Sequence, residues 1–359
     1  MKIEDRLEKN GKIIMDPLAP EECVWELTLK CNMRCIHCGS AAGKERTNEL
    51  TVDECLGVAD QLLDLGCRHV CFIGGEVFLY KGWEKIARYL VEGGALVNII
   101  TNAFLFGDDQ IDQITYAQLS NVAISVDGME KNHNRIRNVK TSFKRVLRAF
   151  ERLRRENISI AAVTSLLDFN FYDLEPMYDL LVENNVSIWQ IQIAHSMGNL
   201  AEQEDFLLDP AKMPLVTQFI RKKRSEQEST IVVYAGDNIG YYDENEPYLR
   251  SLPGTIASWQ GCQAGLKVVG IDSVGNVKGC ESLYADEFIE GNLREESLEE
   301  IWYKEGNFAY NREFDVSQLT GACAGCDKGE ICRGGCRASC YFTTGSLFEN
   351  AYCCYSRKK

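Results

Sequence analysis

From Val24 to Ile193, short apolar runs alternate with stretches whose apolar residues recur at helical spacing. The runs predict strands over Val24–Leu29, His69–Ile73, Val97–Thr101, Val122–Val126, Ile160–Thr164 and Ser187–Ile193. Between the first two, Thr51 and Glu54 form a capping box. Val52, Cys55, Leu56, Ala59, Leu62 and Leu63 then follow helical spacing, and Gly66 closes the helix. Phe143, Val146, Leu147, Phe150 and Leu153 mark the face of another helix. Strand-then-helix units in series require a parallel sheet with right-handed crossovers. Periodicity leaves open whether that sheet curls into a partial barrel or stays doubly wound.

The pattern weakens after Asn199. A charged helical stretch near Ala211–Glu228 leads to an apolar run at Ile231–Tyr234 and a segment rich in Gly, Asp and Tyr. Farther on, Lys267–Ile271 and Gly275–Lys278 read as a small hairpin, and Ser297 with Glu300 caps a short helix. The division expected is a lead-in over 1–21, a core domain over 22–225, a bridge over 226–261 and a cysteine-rich module over 262–359. A module so poor in apolar runs needs staples, which bound metal would supply.

With 45% hydrophobic residues, the 359-residue chain can bury a sizeable core. Its net charge of −14 argues against a nucleic-acid partner, because neutralising phosphates takes clustered Lys and Arg. The basic run Arg221-Lys222-Lys223-Arg224 reads as a solvated helix face. No apolar run is long enough for a membrane span, and the N-terminus lacks the layout of a signal peptide, so a cytoplasmic protein with no membrane contact is expected.

Sixteen cysteines change the picture. In a reducing compartment clustered cysteines read as metal ligands or catalytic thiols rather than disulfides. Cys31, Cys35 and Cys38 fall within eight residues, nine more lie between Cys262 and Cys354, and residues 72–261 contain none, which implies two metal-bearing regions. Cys23, Cys55, Cys67 and Cys71 sit in apolar contexts and read as buried structural residues. The first trio follows a strand and can wrap one corner of a cubane iron–sulfur cluster, leaving one iron open. A zinc site would need a fourth ligand, and His37 stands too close to Cys38 to serve.

Cys31-x3-Cys35-x2-Cys38 after the first strand resembles the signature of radical S-adenosylmethionine (SAM) enzymes. The resemblance implies a partial (β/α)6 TIM-like barrel. It also implies a cluster whose open iron binds the methionine end of SAM, with reductive cleavage to a 5′-deoxyadenosyl radical that abstracts hydrogen. His37 would pack near the adenine. Ile73-Gly74-Gly75-Glu76 resembles the family's Gly-Gly-Glu-Pro motif, with Val77 in place of Pro. Gly74 and Gly75 would let the backbone approach the ligand, and Glu76 would meet its ammonium group. Asn102 after the third strand, with Ser125 and Asp127 after the fourth, resemble segments lining SAM. Arg137, in a segment resembling a His-x-x-x-Arg run with His133 and Arg135 nearby, would hold its carboxylate.

Cys262-x12-Gly275-x4-Cys280, followed by Cys323-x2-Cys326-x5-Cys332-x3-Cys336 and Cys353-Cys354, resembles the SPASM extension with its two auxiliary [4Fe–4S] clusters, three in total with the first. Carried over, Cys262, Cys280 and Cys336 would bind auxiliary cluster I, and Cys323, Cys326, Cys332 and Cys353 cluster II. Cys340 is a candidate fourth ligand to cluster I, and Cys354 an alternative to Cys353. SPASM proteins of this kind mostly modify ribosomal peptides, so oxidative modification of a peptide side chain is expected, for example a crosslink. Delivery would be direct or through a separate recognition protein, since only about twenty residues precede the first strand, and a flavodoxin or ferredoxin would donate electrons. Sulfatase-type maturation is an alternative. Its usual Cys-x-Gly-Gly-Cys-Pro reads here as Cys332-Arg333-Gly334-Gly335-Cys336-Arg337, and Glu281 occupies the position of its base. Small-molecule oxidation, as in haem chemistry, is another. A non-catalytic zinc scaffold would need only the cysteines and would leave Gly74-Gly75-Glu76 and Ser125 unexplained.

Overall fold

The computed structural model describes residues 8–9, 12–13, 18–226, 230–251 and 255–358. Its centre is a parallel series β1 (Glu22–Glu26), β2 (His69–Ile73), β3 (Leu96–Thr101), β4 (Asn121–Ser125), β5 (Ile160–Leu166), β6 (Ile188–Ile193) and β7 (Val232–Ala235). On the other side of β1, β8 (Val268–Ile271) pairs parallel, and β9 (Asn276–Lys278) and β10 (Gly291–Asn292) add antiparallel strands, so β7 and β10 are the edges of an open sheet.

Register shows which way the strands face. Trp25, Phe72 and Ile99 lie side by side, as do Ala162, Trp189 and Val233. All the strand residues of the main apolar core belong to this one face. Against it pack α1 (Val52–Asp64), α2 (Trp83–Glu92), α3 (Asp108–Ala117), α5 (Ser142–Arg155), α6 (Leu174–Glu183) and α7 (Met213–Ser225), through residues such as Leu62, Ile86, Phe150, Leu181 and Ile220. Each such side chain removed from water contributes about 1.5–3 kcal/mol. The opposite face carries Val24, Cys71, Asn98, Ala123, Val163, Gln190 and Tyr234 and is only partly buried over most of its area. Helices on one face alone make this a partial barrel and exclude the doubly wound form. Short α4 (Glu130–Arg137) follows β4.

The strand boundaries differ from expectation by up to three residues, the first strand ending at Glu26 and not Leu29, and four readings need correction. Val232–Ala235, inside the expected bridge, is a full member of the parallel sheet. The expected hairpin Lys267–Ile271/Gly275–Lys278 forms, as β8 and β9, but β8 continues the core sheet through β1, so the cysteine-rich region shares the core's backbone. The helix Leu298–Tyr303, capped by Ser297 and Glu300 as expected, docks on α1, where Leu298 N–H donates to Gln61 Oε1 at 2.6 Å. Within the basic run, Lys223 is buried, paired with Glu175 at 2.8 Å and stacked 4.1 Å over Tyr178, so that face is only partly solvated. Finally, Cys23, Cys55 and Cys67 are buried in the main core as expected, but Cys71 points to the opposite, inner face and accepts from Asn98 Nδ2 at 3.2 Å. Among the described residues no helix is long and apolar enough to cross a membrane.

Candidate active site

The loop after β1 carries Cys31, Cys35 and Cys38 across the C-terminal end of the sheet, where parallel folds place ligands. Glu49 buttresses its start, accepting from Thr28 Oγ1 and Leu29 N–H at 2.7 Å each. Gly43 clamps it on one side, its amide donating to Leu29 O at 2.9 Å while its carbonyl accepts from Cys31 N–H at 3.1 Å. The turn after β2 closes the other side: Gly75 N–H donates to Thr28 O at 2.7 Å and Glu76 N–H to Lys30 O at 2.8 Å. A Cβ on Gly74 would stand 2.3 Å from Thr28 O, and one on Gly75 2.2 Å from Lys30 O. The glycines therefore serve a close approach of backbone to the cysteine loop itself, where the sequence suggested an approach to ligand.

Each thiol of the trio meets an N–H. Cys31 Sγ accepts from Met33 N–H at 3.4 Å, Cys38 Sγ from Ala42 N–H at 3.4 Å, and Cys35 Sγ from Arg137 Nη1 at 3.8 Å. Donors aimed at sulfur are what ligating thiolates require. Burial pushes the Cys31 thiol up to about 11 and raises Cys35 as well, so the ionised form needs bound cations. Among the described residues no three His, Cys, Asp or Glu side chains converge on a single metal ion. A cubane spreads its thiolates over separate iron corners, so the trio fits a cluster and not a lone zinc.

Behind the loop lies a charged cluster drawn from residues far apart in sequence. The buried Asp127 receives Arg137 Nη2 at 2.6 Å and His37 Nε2 at 3.0 Å, and its own N–H donates to His133 Nδ1 at 3.1 Å. Burial alone would raise the Asp127 carboxyl, but Arg137 and His37 together hold it well below the usual range. Burial and then Arg137 depress His133 to about 3, so its ring is neutral, accepting at Nδ1 and donating at Nε2 to Ser142 Oγ, 2.9 Å away. Arg137, expected from the sequence beside SAM's carboxylate, is buried and spans Asp127 and Cys35, with Nε lacking a partner. Glu76, also buried, accepts from Thr101 Oγ1 at 2.7 Å and Asn102 N–H at 2.9 Å, and burial raises its carboxyl. Asn102 Nδ2 donates to Asn32 Oδ1 at 2.8 Å and lies 3.8 Å from Cys31 Sγ. Ser125 ends β4 on the inner face, beside Val163.

The second cysteine region divides into two groups. Cys323, Cys326, Cys332 and Cys353 line one small pocket with Tyr242 and Tyr355. Cys354, one residue on, turns into the main core and faces Asp243, so of the two adjacent cysteines only Cys353 faces the cavity. Cys262, Cys280 and Cys336 lie near one another, in an apolar cluster with Phe288 and Tyr310 that also reaches Cys332 and Cys353. Cys340 is fully buried, and its thiol donates to Gly334 O at 3.1 Å and accepts from Asn350 Nδ2 at 3.6 Å, so it already has partners.

Glu281 follows Cys280 and joins the inner face beside Gly270. Burial above all pushes its carboxyl up to about 8, against the pull of Lys278, whose Nζ lies 3.5 Å away. Near it, Arg46 bridges Glu26, Ser273 Oγ and Tyr284 OH. No motif singles out Arg46, Tyr284 or Lys278, whose placement depends on β8 and β9 joining β1. Asn199 was equally hidden; its Nδ2 donates to Cys35 O at 2.9 Å from a loop 164 residues away.

Two family models match: the radical SAM superfamily over residues 25–181 and the SPASM iron–sulfur cluster-binding domain over residues 262–327. The chain is a radical SAM enzyme with a SPASM domain. It uses SAM and iron–sulfur clusters. The chain is 26% identical to the AdoMet-dependent heme synthase of Methanosarcina barkeri, covering 94% of this chain and 97% of the relative. It is 28% identical to the mycofactocin maturase MftC of Mycolicibacterium smegmatis, covering 90% and 80%. Among solved structures, Streptococcus suis SuiB bound to S-adenosylmethionine superposes with a TM-score of 0.75 at 17% identity, over 93% of this chain and 76% of that one. The same protein bound to its precursor peptide SuiA gives 0.74 at 16% identity, over 93% and 75%. Membership of this family sets the zinc scaffold aside.

Proposed function

We propose that this radical SAM enzyme oxidises a side chain of a ribosomal peptide, crosslink formation being one such outcome. In this reading Cys31, Cys35 and Cys38 hold the SAM cluster, Cys262, Cys280 and Cys336 hold auxiliary cluster I, and Cys323, Cys326, Cys332 and Cys353 hold cluster II. The domain limits follow those expected from the sequence, except that Val232–Ala235 of the expected bridge belongs to the core sheet and β8–β10 serve both parts. A cluster held by Cys31, Cys35 and Cys38 would supply the electron that cleaves bound SAM, and the 5′-deoxyadenosyl radical so released would be the hydrogen-abstracting agent. The protein's own residues do the rest. Glu76, held by Thr101 and Asn102, presents a carboxylate to the SAM ammonium, and Asn102 and Ser125 line the same edge. Asp127 fixes His37 and Arg137, so the guanidinium sits against Cys35 with Nε left for a SAM carboxylate. Glu281 is the group available to take a proton from the oxidised side chain, and the auxiliary clusters would carry the electron away. A flavodoxin or ferredoxin would supply the reducing electron.

The substrate class rests on one observation. Arg46 and Lys278, cations of the inner face beside β1 and β9, each already oppose a buried carboxylate, Glu26 and Glu281. A haem precursor needs cations for its propionates, whereas a peptide side chain does not. The MftC relative and the SuiA complex of SuiB agree with a peptide. Similarity to a heme synthase over nearly its whole length makes a porphyrin precursor of haem the competing substrate. The reduced enzyme with SAM should be offered both that porphyrin and peptides encoded beside its gene. A peptide product lighter by two hydrogens is expected in the mass spectrum. Turnover of the porphyrin with every peptide unchanged would overturn the proposal.

A further inference from the structure

Tyr310 lies in a short helical turn, Ala309–Arg312, and packs its ring edge-on to Phe288 at 6.0 Å. It borders the apolar cluster that holds Cys262, Cys280 and Cys336, and its hydroxyl faces Cys262 and Cys280. That hydroxyl is buried; the Gly279 amide lies against its oxygen, and its own O–H has no acceptor among the described residues. A hydroxyl withdrawn from water and left unpaired carries a penalty that native structures avoid.

The chain also keeps space for it. A Cβ on Gly279 would come within 2.2 Å of the phenol oxygen. Gly279 is not among the residues with positive φ, so its backbone does not require glycine. What glycine provides is room beside Cys280 for the phenol and for the backbone of Gly265 and Ala264, which the same Cβ would meet at 2.8 and 2.9 Å. A phenol with an ordinary pKa near 10 keeps its proton at neutral pH and can act only as a donor toward sulfur.

We propose that Tyr310 is a positioning residue for auxiliary cluster I, its O–H donating a hydrogen bond to a sulfur of the cluster held by Cys262, Cys280 and Cys336. The inference rests on the assignment of that cluster made above. Hydrogen bonds to cluster sulfurs favour the reduced, more negative state and raise the potential. Tyr310 thereby makes cluster I a better acceptor for the electron left on the substrate.

Redox titration of the anaerobically reconstituted enzyme, followed by electron paramagnetic resonance, tests this with Tyr310→Phe, which keeps the ring and removes only the donor. The ratio of reduced to oxidised cluster I at a fixed potential should fall about tenfold, a shift of about 59 mV for one electron. Cluster II and the SAM cluster should titrate as in the parent and show that the fold is intact. An unchanged cluster I potential, or loss of iron from that cluster in the variant, overturns the hydrogen bond while leaving the cluster assignment standing. A parent enzyme with about eight irons per chain and no third signal overturns both.

Discussion

Cys35→Ala abolishes 5′-deoxyadenosine formation, reducing it to the level of enzyme-free buffer when dithionite and SAM are supplied. Cys35 is the thiol most deeply held in the trio, 8% exposed and touched by both Arg137 and the Asn199 loop. Its loss removes one of three protein ligands from a cluster that already has an open iron. No other described thiol is placed to substitute. Iron should fall by about four per chain, with the auxiliary clusters retained, because their ligands lie in a different part of the fold. Cys55→Ala is the matched control: Cys55 is as well buried, but within the α1 core, and its loss should cost about 1 kcal/mol of stability without touching SAM cleavage. Chromatography of the nucleoside products and colorimetric iron analysis decide the matter.

Arg137→Ala is expected to destabilise the enzyme by about 3–5 kcal/mol, because it leaves Asp127 as a buried carboxylate without its main counter-charge. The pH dependence gives the cause away. In the parent, the folded-state pKa of Asp127 is depressed, so its contribution is fully present above about pH 4 and is lost only as pH falls below that. Without Arg137, mainly His37 opposes burial, so the carboxyl rises from its depressed value. The stability tied to its ionised form is then smaller and is lost at a higher pH than in the parent as pH falls. Asp127→Asn combined with Arg137→Met should recover much of the stability, since no unpaired charge remains, but should not recover SAM binding. Thermal unfolding between pH 5 and 8, with equilibrium binding of SAM on the same proteins, checks both halves of this expectation.

These effects turn on contacts that a linear reading sees unevenly. His69–Ile73 was legible to the residue because a buried parallel strand is a short apolar run bounded by polar punctuation. The capping boxes at Thr51 and Ser297 were legible because their chemistry is local. Val232–Ala235 was visible only as an apolar run, since the helices flanking it lacked strong periodicity. That β8 would join β1 had no local signal at all; it brings together residues about 246 apart, as in Lys267 with Glu21. Alternation along β2 would have sent Cys71 to the face opposite Val70 and Phe72, so its inner position was readable from parity. The trio of cysteines was plain from spacing, but the Asp127–His37–Arg137 cluster joins residues up to 100 apart and depends on the sheet's register. Arg46, Tyr284, Lys278 and Tyr310 carried no motif; Lys278 and Tyr284 lie within three residues of Glu281, but only the fold brings Arg46 to Tyr284 and Tyr310 to the auxiliary thiols.

The central claim is that the cluster held by Cys31, Cys35 and Cys38 keeps one iron free for SAM. Electron paramagnetic resonance of the reduced protein, recorded with and without SAM carrying 17O in its carboxylate, measures this directly. The account predicts a change in the g-values of one cluster on addition of SAM, with coupling from the labelled oxygen, and no change in the other signals. Spectra that are superimposable with and without SAM would contradict it.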